Sequence, residues 1–145
     1  MKQFVTFLFA FVITINLFAQ TSKKNDNISQ LLKESISEVD KSFGQQIDEY
    51  TILTGAGYDE NDGVKQFTYY YVVSAEIWED LLVAVDEMKQ LNFDGFKTMC
   101  QTNKDVSLFM KTLSDNGIEL VLSYLCKNEY VSIVYSAKEI KQFNK

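Results

Sequence analysis

The sequence predicts an α+β domain in which a four-stranded, mainly antiparallel sheet carries its helices on one face. Apolar residues recur at helical spacing in some segments, alternate with a period of two in others, and are separated by glycine, asparagine and aspartate. With 145 residues, 46% of them apolar and 23% charged, the chain has the size and composition of one globular domain.

Residues 1–19 are expected to be a signal peptide. Lys2 precedes an apolar run from Phe4 to Phe18, and Ala19 provides a small residue for cleavage before polar sequence begins. The run is too short to cross a bilayer comfortably, and an uncleaved membrane anchor is the alternative. We expect residues 20–27 to form a flexible polar leader and residues 28–145 to form the single domain.

The first half of the domain predicts a helix, a hairpin and a second helix. Apolar residues from Ile28 to Phe43 follow helical spacing, and Gly44 ends that helix. Glycines and carboxylates at 55–63 favour turns, so they predict a long hairpin tip. Ser74 then caps a helix whose wide apolar stripe predicts burial. The predicted strands of this hairpin are 47–54 and 65–74, and the apolar stripe runs from Ile77 to Leu91.

The second half predicts the same order of elements. A short helix is predicted from Asp94, and a separate helix begins at Thr102 and ends at Asn116-Gly117. Strands follow over 118–125 and 129–135, joined by a Lys127-Asn128 turn. A capped helix from Ser136 to Phe143 is the last element. The strings at 72–75 and 134–137 each close a strand and open a helix. They indicate either two helix-strand-strand repeats or a chance match.

Alternation along the strands predicts which side chains face away from the helices. Residues such as Phe67, Tyr69 and Tyr71 point toward the core, so their neighbours lie on the open face. Tyrosine combines a large contact area with a polar tip, which suits a binding surface. The alternative is that the leader or the last helix covers this face and that the aromatic residues reflect strand propensity. The predicted surface consists of Tyr70, Val72, Val121, Leu125, Tyr130 and Val134.

Composition argues against several classes of function. All 14 basic residues are lysine and histidine is absent, which removes the usual groups for proton transfer near neutral pH and for bidentate phosphate binding. Loss of Lys2 with the signal peptide lowers the formal charge from −6 to −7, which disfavours nucleic acids and anionic lipids as partners. We expect no catalytic residues and no cofactor, since nucleophile and phosphate-loop motifs are absent. The acidic stretch at 58–63 lacks EF-hand spacing, so we expect no metal site.

Cys100 and Cys126 are the chain's two cysteines. In an oxidising compartment they would form a disulfide that closes a loop of about 27 residues and stabilises the fold by roughly 3.5 kcal/mol. The alternative is that both are free and buried as apolar residues.

These observations predict a small exported binding module without enzymatic activity, of the inhibitor, immunity-factor or envelope-accessory type. We expect its partner to be another protein and its location to be the periplasm or the extracellular medium. A carrier that holds a hydrophobic ligand between Trp78, Phe96 and the aromatic strands is one alternative. A carboxylate-based hydrolase that uses the Trp78-Glu79 neighbourhood is another.

Overall fold

The computed structural model describes residues 32, 33, 36, 45, 46 and 48–145. The predicted signal peptide, the leader and most of the predicted first helix lie outside the described residues. Of that helix, Leu32, Lys33 and Ile36 have helical backbone. Leu32 is buried, and Ile36 packs against the hydrophobic core. The boundaries at residues 19 and 27 stay predictions.

The described strands form one mixed sheet, in which four long strands are joined by a two-residue strand at one edge. In chain order the elements are β1 (Gln45–Gln46), β2 (Thr51–Asn61), β3 (Val64–Val73), α1 (Ala75–Val83), α2 (Val85–Thr102), α3 (Lys104–Asp115), β4 (Ile118–Cys126), β5 (Glu129–Tyr135) and α4 (Ala137–Gln142). Spatial order follows chain order, and neighbours are antiparallel except β3 and β4, which are parallel. The predicted α+β class with a mainly antiparallel four-stranded sheet is confirmed.

The parallel pair follows from the connection between its strands. Parallel neighbours need a crossover rather than a hairpin, and α1, α2 and α3 supply it. These helices pack on one face of the sheet. The ring of Phe67 on β3 meets that of Phe109 on α3 at 6.0 Å, and Phe96 on α2 meets Tyr135 on β5 at 5.4 Å, all four being buried. The hydrophobic core therefore lies between the sheet and the helices.

The predicted long hairpin tip is wrong, because β2 continues to Asn61 and the turn consists of Asp62 and Gly63 alone. Both turn residues have positive φ, 52° and 80°, as a type I′ turn requires. Gly57 lies inside the strand instead of in a turn. A Cβ atom there would come within 3.2 Å of Cε2 of Tyr70, so the glycine makes room for an aromatic ring on the next strand.

The helical boundaries also differ from the prediction. The helix that begins at Ala75 is interrupted at Ala84, and the next helix continues without interruption to Thr102. The sequence predicted that a helix would end near Asn92. Asn92 is buried next to the side chain of Tyr135 on β5, whose hydroxyl donates a hydrogen bond of 2.9 Å to the Lys89 carbonyl. Asn103, rather than Thr102, caps α3 by accepting hydrogen bonds from the backbone N–H groups of two following residues.

Local end signals are otherwise confirmed. Gly117 has φ of 67° after α3, and Ser136 forms the predicted capping box with Glu139. Ser74 accepts a hydrogen bond from the Glu76 backbone N–H, so both similar strings end a strand and cap a helix with serine. A two-repeat origin stays a prediction. Within the described part of the chain, no helix has the length and apolar character needed to span a membrane.

Candidate functional site

The open face of the sheet carries a continuous row of exposed apolar side chains. Cross-strand pairing places Ile52 beside Val72, Val72 beside Leu125, and Leu125 beside Tyr130. The exposed fraction is 38% for Ile52, 36% for Val72, 41% for Leu125 and 73% for Tyr130. Because directly paired residues share a face of the sheet, these four side chains cross it from β2 to β5. We call Ile52, Val72, Leu125 and Tyr130 the apolar row.

Tyr70 extends the apolar row along β3. It lies two residues before Val72 on the same face and is 46% exposed. Its ring leans over β2, where Gly57 leaves space for it. The Thr54 hydroxyl donates a hydrogen bond of 3.1 Å to the Tyr70 carbonyl at the point where the β2–β3 register shifts. Tyr70 therefore has a defined backbone position and a ring accessible to solvent.

Not all predicted surface residues are exposed. Val121 is 6% exposed and pairs with Thr68 on one side and half-buried Val134 on the other. On this face Val121 is therefore buried and Val134 half-buried, while Tyr70, Val72, Leu125 and Tyr130 are exposed. Ile52 is a member that sequence reasoning missed. Its facing depends on the register shift after Leu53, which simple alternation does not indicate.

The opposite end of the same face is polar and acidic. Asp59 pairs with Gln66, and Gln66 pairs with Glu119. The Gln66 amide Nε2 donates a hydrogen bond of 2.9 Å to Oε1 of Glu119. These three residues form the acidic row, which lies about six residues along β3 from the apolar row. Among the described strand residues on this face there are two acids and no lysine.

A separate cleft lies at the start of α1, next to the β4–β5 turn. It has a volume of about 490 Å³ and is lined by Ala75, Trp78, Glu79, Cys126, Lys127, Asn128 and Glu129. The indole Nε1 of Trp78 donates a hydrogen bond of 2.7 Å to Oε2 of Glu129, a partner that the sequence did not reveal. Glu79 and Glu129 are both exposed residues. A general acid for glycoside cleavage instead needs a desolvated carboxyl.

The structure does not bring together the aromatic residues of the predicted carrier site. Trp78 contacts Glu129 at the start of β5, whereas Phe96 packs against Tyr135 at its end. Phe96 also packs against Phe143 with ring centres 5.1 Å apart and is fully buried. Phe96 is therefore part of the packed core and does not line the cleft.

Cys100 on α2 and Cys126 at the end of β4 are both free and buried in the structure. This corresponds to the second of the two alternatives that the sequence left open. Burial raises the pKa of the Cys100 thiol to about 11, which keeps it protonated and weakly nucleophilic near neutral pH. Among the described residues, no cluster of three or more histidine, cysteine or acidic side chains is placed to hold a metal ion.

The described residues form a small α+β domain with apolar side chains exposed on one face of its sheet. No protein-family model matches its sequence. No curated protein matches it either. A crystal structure from Pseudomonas aeruginosa, described as a "putative secreted protein", shares the fold with a TM-score of 0.60 and 18% identity, over 77% of this chain and 91% of that chain. At this identity the similarity concerns the fold alone.

Proposed function

We propose that this chain is an exported, non-enzymatic binding module that recognises another protein through the open face of its sheet. The observation that carries the proposal is the apolar row. Four exposed apolar side chains on four adjacent strands form one contiguous strip, and Tyr70 widens it. Contiguous exposed apolar surface with a polar border is typical of interaction sites, whereas scattered exposed apolar residues are not informative.

The size of the face suits a protein partner. Four strands about 4.8 Å apart, each with several residues on this face, cover roughly 20 Å by 20 Å before side-chain relief is included. A typical stable interface buries about 800 Å² on each partner. The open face therefore supplies the centre of such an interface, and the partner would also contact its borders.

Charge defines the chemistry of the partner. The acidic row contributes Asp59 and Glu119 to one end of the face, and the whole chain has a formal charge of −6. A complementary surface would present an apolar patch against Tyr70 and Leu125, with lysine or arginine toward Glu119. Such a partner fits the inhibitor, immunity-factor or envelope-accessory type.

Export is supported by the sequence of residues 1–19 and agrees with the description of the structural neighbour as a "putative secreted protein". The apolar run there has the charge, length and cleavage residue of a signal peptide. We infer delivery to the periplasm or the medium. N-terminal sequencing of the native protein tests this step, and a mature terminus near Gln20 is the expected result.

A binding experiment with two matched leucine variants tests the interaction surface. Leu125 in the apolar row and Leu91 on α2 are each 41% exposed, but they lie on opposite sides of the molecule. The wild-type chain is first used to capture a partner from an envelope extract, and the purified pair is then measured by calorimetry. Leu125→Ser, Tyr70→Ala and Tyr130→Ala should each weaken binding about tenfold or more, while Leu91→Ser should not. Equal affinity of Leu125→Ser and Leu91→Ser for the partner would overturn the proposed surface.

The carrier alternative retains one observation, the cleft beside Trp78. Mass spectrometry of protein purified from its native host distinguishes it, because a carrier should arrive with a bound lipid. A hydrolase would turn over a glycan panel and lose that activity in Glu79→Gln. Either result would replace the binding-module proposal.

A further inference from the structure

The outer edge of β5 is available for pairing. Among the described residues, β5 has β4 as its neighbour on one side and no strand on the other. Cys126 and Glu129 flank the two-residue turn and so form a hydrogen-bonded pair. Hydrogen-bonded and non-hydrogen-bonded pairs alternate along an antiparallel ladder. The backbone N–H and C=O groups of Tyr130, Ser132 and Val134 therefore point away from β4, toward the outer edge.

This edge lacks the features that usually prevent strand pairing. Natural edges are protected by proline, by lysine or by bulges. The chain contains no proline, and residues 129–135 contain no lysine. The register between β4 and β5 runs without a shift over all seven residues of β5. The edge is thus regular and carries one charge, at Glu129.

We propose that two copies of this chain pair through their β5 strands, antiparallel and centred on Ser132. In this register Ser132 faces Ser132 of the second copy, and Tyr130 faces Val134 of the second copy. Each of these pairs joins residues with outward-pointing backbone groups, as a hydrogen-bonded pair requires. Val131 then faces Ile133 of the second copy on the helix side of the sheet.

The sequence of β5 is close to self-complementary about Ser132. Its residues read Glu-Tyr-Val-Ser-Ile-Val-Tyr, so β-branched residues face each other and an aromatic residue faces a β-branched one. Such cross-strand pairs stabilise sheets by about 0.2–1 kcal/mol each. Glu129 faces Tyr135 instead of another carboxylate, so no like charges oppose each other.

The alternative registers are poorer. A shift of the pairing centre to Val131 or to Ile133 keeps outward-pointing residues opposite each other but leaves part of each strand without a partner. The register centred on Ser132 pairs the whole strand, which is about 24 Å long at 3.4 Å per residue. We expect about six new backbone hydrogen bonds, two for each hydrogen-bonded pair. An edge contact of this size predicts a reversible dimer that forms at concentrations on the order of micromolar or above.

The dimer would join the two open faces into one surface. A two-fold axis perpendicular to the sheet keeps both open faces on the same side. Tyr130 at the end of the apolar row would then lie beside Val134 of the second copy. The pairing leaves the apolar row exposed, so the dimer does not depend on the proposed binding function.

Cross-linking of the full chain tests the register. In a hydrogen-bonded antiparallel pair the Cα atoms lie about 5.5 Å apart, which is within the range for a disulfide or a short bis-maleimide. Ser132→Cys should give a covalent dimer on mild oxidation, with a yield that rises with protein concentration. Ser123→Cys is the matched control. Ser123 lies on β4, pairs with Ser132 within the same chain and faces the same side of the sheet. In the proposed dimer, Ser123 does not lie opposite Ser123 of the second copy. This variant should remain monomeric.

Analytical ultracentrifugation of the unmodified chain tests the dimer itself. The wild type should shift from monomer toward dimer between about 1 and 500 μM, while Ser132→Lys, which would place two ammonium groups opposite each other, should stay monomeric. Ser132→Ala keeps the backbone donor and should still dimerise. A wild-type chain that is monomeric throughout, a dimer that Ser132→Lys leaves intact, or equal cross-linking of Ser132→Cys and Ser123→Cys would overturn the proposal.

Discussion

Replacing Glu129 with alanine tests how α1 is attached to the β4–β5 turn. The indole Nε1 of Trp78 and Oε2 of Glu129 are 2.7 Å apart, and the two residues are 51 positions apart in the chain. Trp78 is 5% exposed, so its N–H group has little direct contact with bulk solvent. Removal of the carboxylate therefore takes away a charged acceptor from a largely buried donor.

The expected loss of stability lies at the low end of the range for such bonds. A hydrogen bond to a charged group contributes about 1.5–3 kcal/mol, and an unsatisfied buried donor costs about 1–3 kcal/mol. The adjoining cleft of about 490 Å³ admits water. One water molecule occupies about 30 Å³ of liquid, so water can replace the missing oxygen. We expect Glu129→Ala to destabilise the fold by about 1–1.5 kcal/mol, or roughly 3–6 °C in Tm.

Urea unfolding followed by tryptophan fluorescence measures this effect directly, because Trp78 is the chain's single tryptophan. Glu79→Ala is the matched control, since Glu79 lines the same cleft and is exposed. It should change stability by less than about 0.5 kcal/mol. Glu129→Gln keeps a neutral acceptor and should fall between the two. Equal stability of Glu129→Ala and Glu79→Ala would refute the structural role assigned to this hydrogen bond.

Three further predictions concern buried thiols, pH and a turn. At pH 8 both Cys100 and Cys126 should react slowly with a thiol reagent and should titrate as two thiols after unfolding without reductant; a titre of zero would reveal a disulfide. Burial alone would raise the pKa of Glu139, but the Ser136 backbone N–H and the Lys89 ammonium outweigh it and lower that pKa below 4.5. The resulting stabilisation of the fold is present above pH 4.5 and is lost as pH falls through the lowered pKa of Glu139. The difference in urea midpoint between wild type and Glu139→Gln should therefore shrink in acid. A difference that stays constant with pH would contradict this. Gly117 has φ of 67°, so Gly117→Ala should destabilise the fold by about 1 kcal/mol in the same assay, and no change would show that the turn relaxes.

Several features that depend on neighbours within four residues were predictable from the sequence. The cap at Ser136 uses Glu139 three positions later, and both of its hydrogen bonds form in the structure. Gly117 adopts positive φ directly after α3, as its position indicated. Each signal has its cause and its effect within one helical turn, so tertiary packing had little opportunity to override it.

Features that depend on distant neighbours were not predictable in this way. The glycine at position 57 reads as a turn former, yet its role is to leave space for Tyr70 on the next strand. Asn92 is of a type that often ends helices, yet it is buried next to Tyr135 and the helix continues. In both cases the partner lies on another element, and its identity depends on a register that one sequence does not specify.

The same distinction applies to the candidate surface. Alternation placed Tyr70, Val72, Leu125 and Tyr130 on the open face, where the structure exposes them, because the period of two holds along a regular strand. It gave no indication that Val121 is covered. The exposure of a side chain depends on how closely side chains on neighbouring strands surround it. The side of the sheet to which it points does not determine its exposure.

The parallel pairing of β3 and β4 explains why this face has an apolar end and an acidic end. On the open face, Gln66 and Glu119 lie toward the starts of the two strands, whereas Val72 and Leu125 lie toward their ends. The parallel register therefore places Gln66 beside Glu119 and Val72 beside Leu125. If the two strands were antiparallel, Val72 would lie toward the Glu119 end and the apolar row would be interrupted by a carboxylate. The crossover through α1, α2 and α3 makes the parallel pair, so the helical layer also determines the chemistry of the face it leaves open.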